Sequence, residues 1–112
     1  MASADCAHAE GYGTIASGIY SHAEGFGTTA NGIYSHASGK GTVAGYECQT
    51  VIGKNNKNKS NTLFEVGNGT GENSPSNAFE VYNSGDLGIC KDGKIYSLHK
   101  MLAAYFTDTN LM

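Results

Sequence analysis

From Ala7 to Tyr46 the chain repeats itself every 14 residues, without insertion or deletion. The first unit reads Ala7-His8-Ala9-Glu10-Gly11-Tyr12-Gly13-Thr14-Ile15-Ala16-Ser17-Gly18-Ile19-Tyr20. The second begins at Ser21-His22-Ala23-Glu24-Gly25-Phe26-Gly27, and the third at Ser35-His36-Ala37-Ser38-Gly39-Lys40-Gly41. A degenerate fourth copy, Gln49-Thr50-Val51-Ile52-Gly53, keeps the phase. Self-similarity at a fixed period marks a stacked architecture, in which each unit packs on the next.

Fourteen residues are two heptads, so a coiled coil is the first alternative to test. The recurring residues are Gly, Ala, Thr and His, with no aliphatic seam, and each interior glycine would cost a helix about 1 kcal/mol. Helix is therefore excluded. Short extended pieces, Ser-His-Ala-Glu and Thr-x-Ala, alternate with Gly-x-Gly and x-Gly corners, which is the pattern of strands joined by tight turns. Each unit reads as one coil of an all-β solenoid, or β-roll, with equivalent positions stacked as ladders about 4.8 Å apart. The inward candidates Ala9, Ala16, Ala23, Ala30, Ala37 and Ala44 are small. At roughly 25 cal/mol per Å² of apolar surface, a few alanine-lined coils bury too little to stand alone. The sequence thus asks for a partner surface, and a second copy of the chain is the simplest one.

These units resemble the head repeats of YadA-type trimeric autotransporter adhesins. The wording Ser-His-Ala-Glu-Gly-x-Gly-Thr-x-Ala-x-Gly is closer to bacteriophage and prophage tail-fibre or appendage proteins of Gram-positive hosts. So are Gln49-Thr50-Val51-Ile52-Gly53-Lys54-Asn55, Phe64-Glu65-Val66-Gly67-Asn68-Gly69-Thr70 and Ser76-Asn77-Ala78-Phe79-Glu80-Val81. The resemblance covers about residues 6 to 90. It implies a left-handed parallel β-roll assembled as a homotrimer, with a structural and adhesive role in a virion. The implied partners are two further copies of the chain and a host cell-surface glycan or protein. A bacterial adhesin head is one alternative reading, and a fibre-borne glycan hydrolase is another from a different class.

Composition removes other classes. A net charge of −3 gives no basic footprint for nucleic acid. No run approaches the ~18 apolar residues that membrane insertion needs. Met1 to Asp5 carries neither the charged nor the apolar region of a secretory signal. The expected organisation is a β-roll over 6–53, a polar loop or neck over 54–61, short β-strands over 62–96 and a C-terminal helix over 97–107. Within the third unit Tyr46 stands where Gly18 and Gly32 predict glycine, so the corner is expected to shift and redirect the chain. Val51 and Ile52 make the fourth coil more apolar, suited to plug the stack.

Thr62-Leu63-Phe64-Glu65-Val66 and Asn77-Ala78-Phe79-Glu80-Val81-Tyr82 match at an offset of 15, and alternation puts Phe and Val on one face and Glu on the other. Asn83 to Asp86 reads as a turn, Leu87 to Cys90 as a strand, Asp92-Gly93 as a hairpin turn and Ile95-Tyr96 as a last strand. Leu98, Met101, Leu102, Tyr105 and Phe106 form one helical apolar face, capped by Ser97 and ended by Thr107 to Asn110. So short a helix is marginal in water and must dock; a bundle of three about a fibre axis would hold it.

The chemistry-bearing residues are few. His8, His22 and His36 recur at one position and should form a column. The first reading is a polar ladder and the second is an ion ladder; no resident metal or other cofactor is expected. Stacked imidazoles repel when charged, so stability is expected to fall between about pH 6.5 and 5. Glu10 and Glu24 also lie one period apart, facing solvent or a neighbouring chain's cation or histidine. They are equivalent positions rather than two distinct environments, so catalysis is not expected of them and no enzyme is predicted. Thr14, Thr28 and Thr42 read as outward strand positions. Cys6 and Cys48 occupy the ladder position of Tyr20 and Tyr34, three periods apart. Stacked coils would hold them ~14 Å apart, too far for a disulfide. They read as buried or half-buried free thiols, and Cys90 as a small core hydrophobe. Exposed turns vary at Tyr12, Phe26 and Lys40, the candidate receptor-facing residues.

Overall fold

The computed structural model describes residues 1–109, with side chains through residue 105. Each repeat forms a five-residue strand and a two-residue strand. The long strands are β1 (His8–Tyr12), β3 (His22–Phe26), β5 (His36–Lys40) and β7 (Thr50–Lys54), and the short ones are β2 (Ile15–Ala16), β4 (Thr29–Ala30) and β6 (Val43–Ala44). Long strands pair in parallel with their successors at the repeat offset, His8 with His22 and His22 with His36. The short ones do the same in a separate sheet of three. The chain is therefore a parallel β-solenoid, and its core is the expected alanine column: Ala16, Ala23, Ala30, Ala37 and Ala44 are fully buried, with Val51 added at the end. Ala9, at the first coil, is only partly buried.

The solenoid's corners explain the recurring glycines. Gly11, Gly25 and Gly39 lie inside the long strands rather than at the turn. Gly25 holds φ +113°, and a Cβ there would stand 2.1 Å from the carbonyl oxygen of Gly39 on the next coil. The other corner places Cys6, Tyr20, Tyr34 and Cys48 at φ of 56–61°, the left-handed region. The corner that Tyr46 was expected to shift keeps its place: Cys48 has the same φ as Tyr34 and the same backbone bond, donating to Ile33 O at 2.9 Å as Tyr34 does to Ile19 O at 3.0 Å. Glycine is needed at 18 and 32 because the next coil's carbonyl lies 2.1 Å from where a Cβ would be. Tyr46 belongs to the last coil with this corner, so no further corner stacks on it and a side chain is admitted.

Parallel stacking continues past the fourth coil. Strand β8 (Thr62–Asn68) pairs in parallel with β7, Thr50 opposite Phe64 and Gly53 opposite Gly67, which keeps the repeat offset. The sheet then turns antiparallel through β9 (Asn77–Tyr82), β10 (Leu87–Lys91) and β11 (Lys94–Ser97), giving eight strands in the order β1-β3-β5-β7-β8-β9-β10-β11. The β10–β11 turn has Asp92 and Gly93 at φ 53° and 77°, as the Asp-Gly pair predicts for a tight hairpin. Helix α1 (Leu98–Thr109) follows directly. The Ser97 hydroxyl accepts from Lys100 N at 3.3 Å and so caps it; Asp86 adds a second acceptor, to His99 N at 3.1 Å. Thr107 to Thr109 continue the helix instead of ending it, while Asn110 lies outside the described residues.

The polar segment 54–61 completes the last coil with side chains in place of a strand. Asn56 Oδ1 accepts from Val43 N at 2.8 Å and its Nδ2 donates to Val43 O at 3.0 Å, the two bonds a neighbouring strand would make. Asn58 Oδ1 accepts from Gly45 N at 3.0 Å. The end of the stack is accordingly closed by polar groups, whereas Ile52, read as part of an apolar plug, points outward and is 39% exposed.

Candidate functional site

The outer face of the long sheet carries two ladders side by side. Residues two apart in a strand share a face, so each histidine stands beside the glutamate of its own coil. The imidazoles stack with centroids 4.7 Å apart from His8 to His22 and 4.6 Å apart from His22 to His36, each pair tilted by 20°. The carboxylates stand between them. Glu10 reaches His8 Nε2 at 3.7 Å and His22 Nε2 at 4.0 Å; Glu24 reaches His22 Nε2 at 3.7 Å and His36 Nε2 at 3.4 Å. Each carboxylate therefore serves two histidines of its own chain. His36 first, and His22 with it, holds the Glu24 carboxyl below the usual carboxylate range. A charged imidazole in this column faces carboxylates as well as its like neighbours, so attraction opposes the repulsion between the stacked rings. His22 Nε2 is shielded from solvent and has no hydrogen-bond partner.

The same face offers a third row. Tyr12, Phe26 and Lys40 are cross-strand partners and all exposed. The Tyr12 and Phe26 rings stack at 5.3 Å with 11° between planes. At the opposite corner Tyr20 and Tyr34 stack at 5.5 Å. Cys6 and Cys48 share that corner and are exposed, contrary to the expectation of burial, because a left-handed corner residue directs its side chain away from the coil. Cys90 is half-buried, and burial raises its thiol pKa. The threonine ladder is also reversed: Thr14, Thr28 and Thr42 point inward and are buried. Two of the hydroxyls are satisfied locally, Thr28 Oγ1 donating to Glu24 O at 3.1 Å and Thr42 Oγ1 to Ser38 O at 2.9 Å.

Beyond the ladders, sequence reasoning missed a buried polar network. Glu65 and Glu80 face each other across β8 and β9 and are 0% and 1% exposed. Glu65 accepts from Asn56 Nδ2 and Thr62 Oγ1, both at 2.6 Å, from Lys59 N at 2.9 Å and from Gln49 Nε2 at 3.3 Å. Glu80 accepts from Asn77 Nδ2 at 2.7 Å, from Lys59 Nζ at 3.0 Å and from the Tyr82 hydroxyl. Burial raises the Glu80 carboxyl, but the bonds from Asn77, Tyr82 and Lys59 outweigh it and leave the group below its ordinary value. Burial, and then Glu80, push the Tyr82 phenol well above its ordinary range. Every carboxylate oxygen has a donor, so the pair fastens β8, β9 and the 56–62 segment together. A signal was present in Thr62-x-x-Glu65 and Asn77-x-x-Glu80, where a short polar side chain precedes each glutamate by three residues and donates to it.

Turning both glutamates inward turns their neighbours outward. Ile52, Val66, Phe79, Ile89 and Tyr96 form one cross-strand row, and Phe64, Val81 and Leu87 form the next. Phe64 and Phe79 meet edge-on at 6.4 Å. These rows continue the face that carries the histidines, through the pairing of His36 with Thr50 and Thr50 with Phe64. No protein family, curated protein or solved structure matches this chain.

Proposed function

We propose that the chain is a structural and adhesive segment of a phage or prophage tail fibre or appendage, assembled as a homotrimer through the apolar half of the outer face of its long sheet. The observation that carries this reading is the inverted second half of that sheet. Glutamates occupy its inside and a contiguous set of Ile, Val, Phe, Leu and Tyr its outside. A face of this kind is costly to leave in water and marks an association surface. Helix α1 points the same way, since Met101, Leu102 and Tyr105 are all exposed along its apolar side. An elongated body of 53 × 27 × 16 Å suits a fibre module. In this reading Tyr12, Phe26 and Lys40 form the receptor-facing row. Stacked exposed aromatics beside a lysine suit the flat apolar face and polar rim of a cell-wall sugar. Sedimentation equilibrium tests the assembly: three chains per particle are expected, and a well-folded single chain at micromolar concentration overturns the reading. Binding of host cell-wall glycan that is lost in Tyr12→Ala/Phe26→Ala tests the adhesive part.

A further inference from the structure

Parallel pairing of β3 and β5 fixes three potential ligands before anything binds. His22 and His36 are cross-strand partners, and Glu24 follows His22 by two residues on the same face. We propose that His22, Glu24 and His36 hold one divalent transition-metal ion between the second and third coils. Two imidazoles and one carboxylate form a recurrent ligand set for zinc and its neighbours, with water completing the shell. One ligand atom from each residue lies within 4.8 Å of the others. Bonds of about 2.0–2.1 Å place tetrahedral ligands roughly 3.3 Å apart. Glu24 already stands 3.4 Å from His36 Nε2 and 3.7 Å from His22 Nε2, and the two imidazoles, stacked at 4.6 Å with 20° between planes, must tilt for their nitrogens to converge on one ion.

A second triad, His8, Glu10 and His22, overlaps the first. It is the weaker site on two counts. Its contacts are longer, at 3.7 and 4.0 Å, and His8 and Glu10 are each 58% exposed, against 40% and 41% for His36 and Glu24. Both triads use His22 Nε2, so they compete and the chain takes one ion. That shared nitrogen is the shielded, unpartnered atom of the column, a lone pair or N–H held among carboxylates without a hydrogen bond. Ser38 replaces the glutamate of the third coil, which ends the series at His36. The bound ion ties one coil to the next and does not depend on the assembly proposed above, because all three ligands come from one chain.

Cobalt(II) is the probe, titrated into the metal-free protein by calorimetry and absorption. One ion per chain is expected. Glu24→Gln and His36→Ala should each weaken binding by at least about tenfold, while His8→Ala stays within about threefold of the parent. Cobalt should raise the melting temperature of the parent and of His8→Ala but not of His36→Ala, whose metal-free melting shows that it still folds. Equal affinity across the variants, a thiolate-to-cobalt charge-transfer band, or one ion per three chains would overturn the assignment. So would a loss in His8→Ala as large as that in His36→Ala.

Discussion

At the scale of single residues, the solenoid sorts its glycines by what lies above them. Gly25 and Gly27 both have positive φ, at +113° and +64°, but a Cβ at Gly25 would strike the next coil's backbone, whereas nothing lies within 4 Å of one at Gly27. Gly27→Ala should therefore cost only the left-handed strain, about 1 kcal/mol. Gly25→Ala forces two coils apart and should cost on the order of 3 kcal/mol or more; urea midpoints of the two variants measure the difference. Acid sensitivity is also a single-residue matter. Glu80 is held below its ordinary value near 4.5 in the folded chain. A depressed folded pKa contributes stability that is present above the unfolded value and lost as pH falls below it. Melting temperature should thus hold from neutral pH down to about 5 and drop below about 4.5, and Glu80→Gln should flatten that limb. A drop between pH 6.5 and 5 would mean that the histidine column, despite its interleaved carboxylates, controls acid stability. Part of this was legible in the repeat: recurring alanines marked the core because only a small residue suits so thin a coil. The threonines misled because β-propensity says nothing of facing, and the carbonyls that the Thr28 and Thr42 hydroxyls reach inside the corner are visible only once the corner is built.

Strands and loops show where sequence patterning stops. Alternation in β8 and β9 correctly divided Phe and Val from Glu, but a period of two cannot say which face is inside. Hydrophobicity would put the phenylalanines inward. The register inherited from β7 decides otherwise, because Glu65 stacks on Val51, the last member of the buried column. The same register was hidden in the sequence by a polar loop, since Gly53 and Gly67 keep the repeat offset while residues 55–66 share nothing with earlier coils. Segment 54–61 read as a polar loop or neck because asparagine and lysine favour loops. Its asparagines instead imitate a strand, and this has a measurable consequence. Asn56 is buried, satisfies both backbone groups of Val43 and also donates to Glu65. Asn56→Ala leaves those groups without partners at about 1–3 kcal/mol apiece before relaxation, so a net loss of about 3 kcal/mol is expected. Hydrogen exchange should show it locally, with the Val43 and Gly45 amides losing protection while Thr29 keeps its own.

For the whole molecule the decisive feature is the division of one sheet face into a polar half and an apolar half. The polar half is self-sufficient, because its histidines and glutamates serve one another within the chain. The apolar half has no such complement among the described residues: Ile52, Ile89 and Tyr96 remain 39%, 44% and 46% exposed. Fully burying an aliphatic or aromatic side chain of this size contributes about 1.5–3 kcal/mol; Phe64, Val66, Phe79, Val81 and Leu87 are already half-buried, so in the proposed trimer each residue of the two rows supplies only part of that figure against the roughly 4–15 kcal/mol cost of association. The inside of the same strands is fastened by the Glu65 and Glu80 network rather than by these residues, so the outer rows can be changed without unpicking the chain. Ile89→Lys tests this. Ile89 lies between Phe79 and Tyr96 on the outer face. In the proposed trimer a lysine there would bring three like charges together at the centre of an apolar contact. Sedimentation velocity should then find single chains that keep the parent's β-sheet circular dichroism, while Tyr34→Lys, at the opposite corner, leaves the particle mass unchanged. A persistent trimer in Ile89→Lys would place the contact on another face, and loss of β-structure would show that the outer rows hold the chain's own fold.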